Sequence, residues 1–420
     1  MKSMLFAMTA TTALTALPAF AVERAEVLDT YANIAAAGYA DSLTTAQALQ
    51  TAVDVLLDQP SEAALQAART AWIAARVPYM QTEAYRFGNA IVDDWEGRAN
   101  AWPLDEGLID YVDATYGGAT DENEFAVLNV VANPSFTLSG EEVDASAITP
   151  ALLQDTLQEA DGVEANVATG YHAVEFLLWG QDLNGTDAGA GDRPWTDYAA
   201  GDDCTNGNCD RRGDYLRAVT DLLVTDLDEM AAAWADGGAA RTAVLADETA
   251  GISAMLTGMG SLSYGELAGQ RMKLGVMMND PEEEHDCFSD NTHMSHYYDG
   301  LGVQNVYLGS YTRVDGSTVS GPSLSDLVAQ ADPAIDAQLK TELEASVAAL
   351  AVIRDKAEAG MAYDQMLARD NTEGEALVMG AVDALVIQTR SIERAVAALD
   401  LNGIAVEGSD SLDNPNAVFQ

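Results

Sequence analysis

Lysine is almost missing from this 420-residue chain. Lys2, Lys273, Lys340 and Lys356 are the full set, and lysine plus arginine total 20 against 67 aspartates and glutamates. A net charge of -47 leaves no basic patch to displace counterions from a polyanion, so nucleic acid is excluded as a partner. Such a charge favours solubility, gathers cations without selectivity and fits salty surroundings. Acidity alone therefore does not mark a metal site. Long apolar runs are missing too. Beyond the N-terminus no stretch reaches the roughly 18 uninterrupted apolar residues of a membrane span. Complete His-Glu-x-x-His and Gly-x-Ser-x-Gly motifs are likewise lacking, which removes the usual sequence support for a zinc or serine hydrolase. Histidine occurs four times, as His172, His285, His293 and His296.

The N-terminus reads as an export signal. Lys2 precedes an apolar run from Met4 to Leu17, and Ala19-Phe20-Ala21 offers a small-x-small cleavage site after Ala21. No cysteine follows that would take a lipid. The expected location is a bacterial periplasm. Cysteine usage agrees with export: Cys204 and Cys209 bracket the turn-forming Thr-Asn-Gly-Asn and are expected to form a short-loop disulfide. Cys287 is left over, between His285 and His293.

One stretch carries the densest chemistry, Gly170-Tyr171-His172-Ala173-Val174-Glu175-Phe176. Val163, Val167, Tyr171, Val174 and Leu178 recur at helical spacing, which predicts a buried helix. His172 and Glu175 each sit one residue past a stripe position, at the edge of that face. Residues three apart are neighbours on a helix, so this imidazole and carboxylate can share one cation. Gly180 is a natural end to the helix. A second loaded stretch runs from Asp280 to His296 and holds the other three histidines. Glu282 to Glu284 read most simply as a solvated, acidic helix start.

Elsewhere the pattern is helical. Leu43, Leu49, Val53, Leu56 and Leu57 predict a helix that ends by Pro60, and Ser61 is placed to cap the next. Glu83 and Arg86 lie three apart among aromatics, either as an ion pair or with Glu83 reaching the His172 site. Asp182 to Asp214 is a long polar loop that lacks the ligand series of a calcium hand. A second helical block is expected from Tyr215. A glycine-bearing helix pair follows over Ile252 to Met278, where so many glycines imply close backbone packing. Nothing in the last eighty residues invites a chemical role. The fold class is all-α, with two helical-bundle domains and long irregular loops. The expected division is a signal peptide over 1–21, an N-terminal domain over 22–214 and a C-terminal domain over 215–420. Two halves of similar length allow an old duplication.

Gly170-x-His172-x-x-Glu175 resembles the signature of the imelysin family, whose members include proteins named iron-regulated protein A. The likeness extends through Ala71-Trp72, Ala75-Arg76, Gln81 to Phe87, Asn184-Gly185, Arg193-Pro194, Gly260 to Leu262, Gly265 to Gly269 and His285 to Asp290. It implies an exported all-α protein of two bundle-like domains, linked to iron acquisition, with a site near the domain interface around His172 and Glu175. The family also carries a peptidase label. The reading adopted is binding of iron, or of a small iron-bearing ligand. His172 and Glu175 would serve as ligands, with Glu83, His285, Asp286, Asp290 and His293 as candidates to complete the shell. Mixed oxygen and imidazole donors suit iron and would also accept zinc or copper. Membrane iron-transport components are candidate partners. A metal-dependent peptidase and a structural or interaction module without metal are the alternatives.

Overall fold

The computed structural model describes residues 21–120, 123–401 and 403–419. Apart from Ala21, the expected signal segment lies outside the described residues. Among the described residues helices dominate, so the chain is all-α as its periodicity predicts. Its extended segments are two short antiparallel hairpins. β1 (Ser135–Leu138) faces β2 (Glu141–Asp144), with Ser135 opposite Asp144. β3 (Ser310–Thr312) faces β4 (Thr318–Ser320), with Ser310 opposite Ser320. No described helix is long and apolar enough to cross a membrane.

Helix α1 (Arg24–Asp58) stops just before Pro60, and α2 (Glu62–Met80) starts under Ser61, whose hydroxyl accepts the Ala64 N–H. That hydroxyl satisfies one of the orphan donors of a helix start. The two helices pack side by side, and α1 also packs against α4 (Cys209–Trp234). Helix α4 begins at Cys209, ahead of the expected Tyr215, directly after the Cys204–Cys209 disulfide, and runs through position 214. Tyr31, Tyr39, Tyr85 and Trp234 fill the space between these helices, with ring centroids 5.0 Å apart for Tyr31 and Tyr85 and 5.8 Å for Tyr31 and Trp234.

Helix α3 (Gly170–Trp179) lies between α2 and α4, and every one of its ten residues is buried. A helix that is apolar nearly all round belongs inside a protein. The sequence placed Val163 and Val167 on its stripe, but they precede it. Gly170 explains the late start. Its φ of +80° is left-handed, and a Cβ there would sit 2.5 Å from the Ala99 carbonyl oxygen. That same carbonyl accepts the Tyr171 N–H at 2.8 Å. The glycine therefore breaks the periodic run while letting the helix start press against the Ala99 backbone. His172 and Glu175 are correspondingly interior, with no solvent edge.

The glycine-rich region forms one rod where two helices were expected. It comprises α5 (Glu248–Ser261), a π-helical stretch (Leu262–Lys273) and α6 (Leu274–Met278). Further helices are α7 (Thr292–Leu308), α8 (Leu324–Ala331), α9 (Pro333–Glu358), α10 (Tyr363–Leu367) and α11 (Thr372–Ala398). A large core runs through α1 to α4, α5, α7 and α8. A smaller one gathers Leu267, Met272, Leu350, Tyr363 and Leu385. The glycines do permit close approach: a Cβ on Gly258 would lie 2.1 Å from the Ala84 carbonyl oxygen. Backbone cannot yield there, so Gly258→Ala is expected to lose about 1–3 kcal/mol of stability, the usual range for overpacking. Urea unfolding of the variant beside wild type checks this. An unchanged midpoint would mean that the rod shifts freely.

Candidate metal centre

Arg76 sits at the middle of the site. It projects from α2, is 1 % exposed, and lies among the rings of Trp72, Tyr79 and Tyr171, with 5.1 Å from guanidinium carbon to the Tyr171 centroid. Trp72 and Tyr79 are one helical turn either side of it, so α2 builds this aromatic sleeve from its own spacing. The charge is met by Asp286, whose Oδ1 accepts an Arg76 N–H at 2.8 Å. Asn100 accepts another Arg76 N–H at 2.5 Å. The remaining Asp286 oxygen accepts from Asn291 at 2.9 Å and from the Ser295 hydroxyl. Burial pushes the Asp286 carboxyl up, but Arg76 and the contact with His285 outweigh it and hold the group well below the usual range.

His172 and His285 meet beside this pair, ring edge to ring face, with centroids 4.7 Å apart. His172 Nδ1 lies 3.0 Å from Glu175 Oε2. The other Glu175 oxygen accepts two hydrogen bonds, from the Ser289 N–H at 3.0 Å and its hydroxyl at 2.7 Å. With Glu175 ionised, Nδ1 donates and Nε2 keeps a free lone pair. His285 Nδ1 accepts an N–H of Arg76 at 3.2 Å. The Nε2 atoms of both histidines are buried and have no hydrogen-bond partner. One ligand atom each from His172, His285 and Asp286 falls within 4.8 Å of the others. Burial first, then the Arg76 charge, lowers the His172 pKa to about 3. Burial also holds His285 well below its ordinary value. Both rings are therefore neutral at neutral pH, the form in which imidazole binds metals. Glu175 is pushed well above the usual carboxylate range, by burial and then by Asp286.

These atoms fit a metal. His172 Nε2 and His285 Nε2 are buried without a partner, and a carboxylate behind His172 is the usual device for orienting a liganding histidine. That arrangement gives Glu175 a supporting role behind His172, because its Oε2 holds the ring and its Oε1 is anchored by Ser289. Among the sequence candidates, His172, Glu175, His285 and Asp286 come together. Glu83 goes elsewhere. Its Oε2 is 2.9 Å from Arg271, which also binds Glu266 at 2.9 Å and Asp299 at 3.0 Å. Arg86 is not its partner and instead faces Asp93 at 3.1 Å and Glu96 at 3.5 Å. Asp290 joins Asp182 and Asp364 in a separate group. His293 is half-buried outside both groups, with Nδ1 unpartnered. Glu284, expected on a solvated helix start, is 1 % exposed. A cleft of about 590 Å³ reaches His285, with Trp102 and Arg271 in its wall and Asp93, Glu96, Glu159 and Glu164 at its sides.

The reading by residue pattern missed Arg76 as the organiser and Ser289 as a support. Arg76 had a signal. It is one of few basic residues, and it stands on the aromatic face of a helix.

The fold and this centre define an all-α protein with a His/carboxylate site buried between helices. Residues 35–392 match the family model described as Imelysin, and the chain belongs to the imelysin family. It is 34% identical over 79 residues to "Iron-regulated protein A" of Synechococcus elongatus, a match covering 19% of this chain and 20% of that protein. The matched segment thus spans about a fifth of the relative's length. The fold is similar to the crystal structure of a protein assigned as an iron-regulated protein A precursor from Parabacteroides distasonis. The TM-score is 0.62 at 18% identity, over 89% of this chain and 96% of that one.

The buried histidine has a consequence for stability. His172 drops from an ordinary value of 6.5 to about 3 on folding. Between those values the unfolded chain binds the proton and the native state does not, so stability falls as pH falls through that window. From pH 7 to pH 5 this one group is expected to remove about 2 kcal/mol. His172→Gln lacks the group. Urea unfolding in chelator at both pH values is predicted to show a difference smaller by that amount, whereas an equal difference would place the protonated ring in solvent.

Proposed function

We propose that this protein is an exported, periplasmic binder of iron, or of a small iron-bearing ligand, and that it acts in iron acquisition. One observation carries the reading: two buried imidazole nitrogens, His172 Nε2 and His285 Nε2, are without any hydrogen-bond partner. An unpaired buried polar atom costs about 1–3 kcal/mol, and a bound metal would remove that penalty. His172 Nε2 would supply a nitrogen donor and Asp286 a nearby oxygen, a mixed set suited to iron and acceptable to zinc; His285, whose Nδ1 accepts from Arg76 so that its neutral ring carries the proton on Nε2, would join only on giving up that contact. Glu175 would hold the His172 ring with Nε2 outward. The acidic sides of the cleft favour a cation's approach. The name of the Synechococcus relative supports the link with iron.

The family's peptidase label finds less support. Glu175 has no oxygen free to take a proton from water. Burial pushes the Cys287 thiol well above its ordinary value, which keeps it from acting as a thiolate.

Binding at His172 Nε2 selects the ionised carboxylate, so metal uptake is expected to release a proton and to tighten as pH rises. Titration calorimetry with Fe(II) and Zn(II), in buffers of different ionisation enthalpy and at moderate salt, tests both points. Wild type is expected to show one saturable site, His172→Ala and His285→Ala none, and Glu175→Gln about 10–100-fold weaker binding, as for other supporting carboxylates. Equal binding by all four proteins would remove the histidines from the site.

A further inference from the structure

Many buried carboxylates in this protein are neutralised by arginine. Asp110 and Asp197 share Arg193, Asp286 has Arg76, and Asp299 has Arg271. Glu175 and Glu106 are buried without one and rest on hydrogen bonds instead. One further group brings several carboxylates together with no basic partner. Asp182 in the loop after α3, Asp290 in the loop before α7 and Asp364 in α10 each offer an oxygen within 4.8 Å of the other two. Asp364 is 1 % exposed, and no side chain meets either of its carboxylate oxygens, the backbone N–H groups of Gln365 and Asp364 being the only donors that lower its pKa; Asp290 Oδ1 is also buried and unpartnered. Glu284, again 1 % exposed, is within the field of all three, and the Thr292 hydroxyl is the one donor group that lowers its pKa. No basic side chain is among the groups that act on any of the four. Burial raises all four, and repulsion from neighbouring carboxylates adds to it for Glu284, Asp290 and Asp364, with Asp290 at about 7 and Asp364 at about 6.

Like charges gathered in a poor solvent need either protons or a cation. The donors here are oxygens alone, with no histidine or cysteine in the group, which disfavours zinc and copper and suits a hard ion. Coordination habit narrows the choice further. Calcium accepts a cage of several protein oxygens, whereas magnesium keeps most of its waters and is usually held by only one or two carboxylates. The loop chain is shaped to present Asp182. Its Oδ1 accepts the Asn184 N–H at 2.8 Å and the Asn184 side-chain N–H at 2.7 Å, and Asn184 in turn donates to the Gly189 carbonyl at 2.6 Å. The Gly191 N–H then donates to the Phe288 carbonyl at 2.9 Å, laying this loop along the segment that carries Asp290.

We propose that Asp182, Asp290 and Asp364, backed by Glu284, form a calcium site separate from the His172 centre, which fastens three chain segments together. The ion would tie the loop after α3 and the start of α10 to the segment from Glu284 to Asp290, and that segment also bears His285 and Asp286. The site does not depend on what binds at His172.

The test uses the full protein, stripped with chelator and held at 0.3 M KCl to suppress loose binding by the acidic surface. Calcium chloride titration is expected to give one saturable site and an upward shift of the melting temperature. Asp364→Asn and, separately, Asp290→Asn are expected to weaken binding by at least about tenfold. In chelator both variants are expected to melt at or above wild type, since each removes a repulsive charge. That melt also shows that they fold. His172→Ala is expected to keep the calcium site. Calcium binding that is unsaturable, or equal in wild type and both variants, would overturn the proposal. So would magnesium binding as tightly as calcium at the same site.

Discussion

A guanidinium taken into a protein interior must find a negative charge, and the contact between Arg76 and Asp286 meets that demand at the centre of this molecule. Much of the site follows from it. Asp286 is ionised because Arg76 is beside it, while burial keeps both histidines neutral, helped by the Arg76 charge at His172 and the Arg271 charge at His285. The aromatic sleeve of Trp72, Tyr79 and Tyr171 fixes Arg76 in place. The pair also fixes the segment after α6 against α2, which brings His285 to His172 although the two are far apart in sequence. Removing one partner of such a pair typically costs about 3–5 kcal/mol, because the other charge remains buried. The arrangement is thus both a structural joint and the electrostatic setting of the two histidines.

The scarcity of basic residues gives this economy its meaning. Most of the 67 carboxylates can rest in solvent, but the few that are interior need partners. Arg76, Arg193, Arg212 and Arg271 are buried where they serve them. Asp110 alone draws on two, Arg193 at 2.8 Å and Arg212 at 2.5 Å. Against that background the absence of arginine around Asp182, Asp290 and Asp364 is informative, and so are the unpartnered nitrogens of His172 and His285. In both places the protein leaves polar atoms buried that its own side chains do not satisfy. One place offers nitrogen and oxygen donors, and the other offers oxygen alone, so different ions suit them.

Much of the fold was legible because helix periodicity and punctuation are local. Ser61 caps α2, Gly180 ends α3, and the apolar spacing of α4 and α11 is plain in the chain. The His172–Glu175 contact was legible for the same reason, since three residues on a helix fix the neighbours. Its role was not. Only the long-range contact with Ser289 shows that Glu175 is occupied. Val163 and Val167 misled because their spacing continued across a glycine whose backbone is left-handed. Asp364 was passed over because it stands alone in a chemically plain region, and its company comes from two distant loops. Glu284 looked like surface because it follows Glu282 and Glu283 in sequence, yet a short 3-10 turn ends between them and folds it inward.

Locating the metal directly is the most decisive measurement. Crystals of the protein loaded with iron, measured on either side of the iron absorption edge, would reveal any ordered iron regardless of assumptions about its ligands. A binding centre at the paired histidines predicts an anomalous peak about 2.1 Å from His172 Nε2, the usual metal–imidazole distance, with His285 also in contact. Well-occupied iron found only elsewhere, for instance among Asp182, Asp290 and Asp364, would contradict it. So would a loaded protein in which both rings keep their Nε2 atoms free.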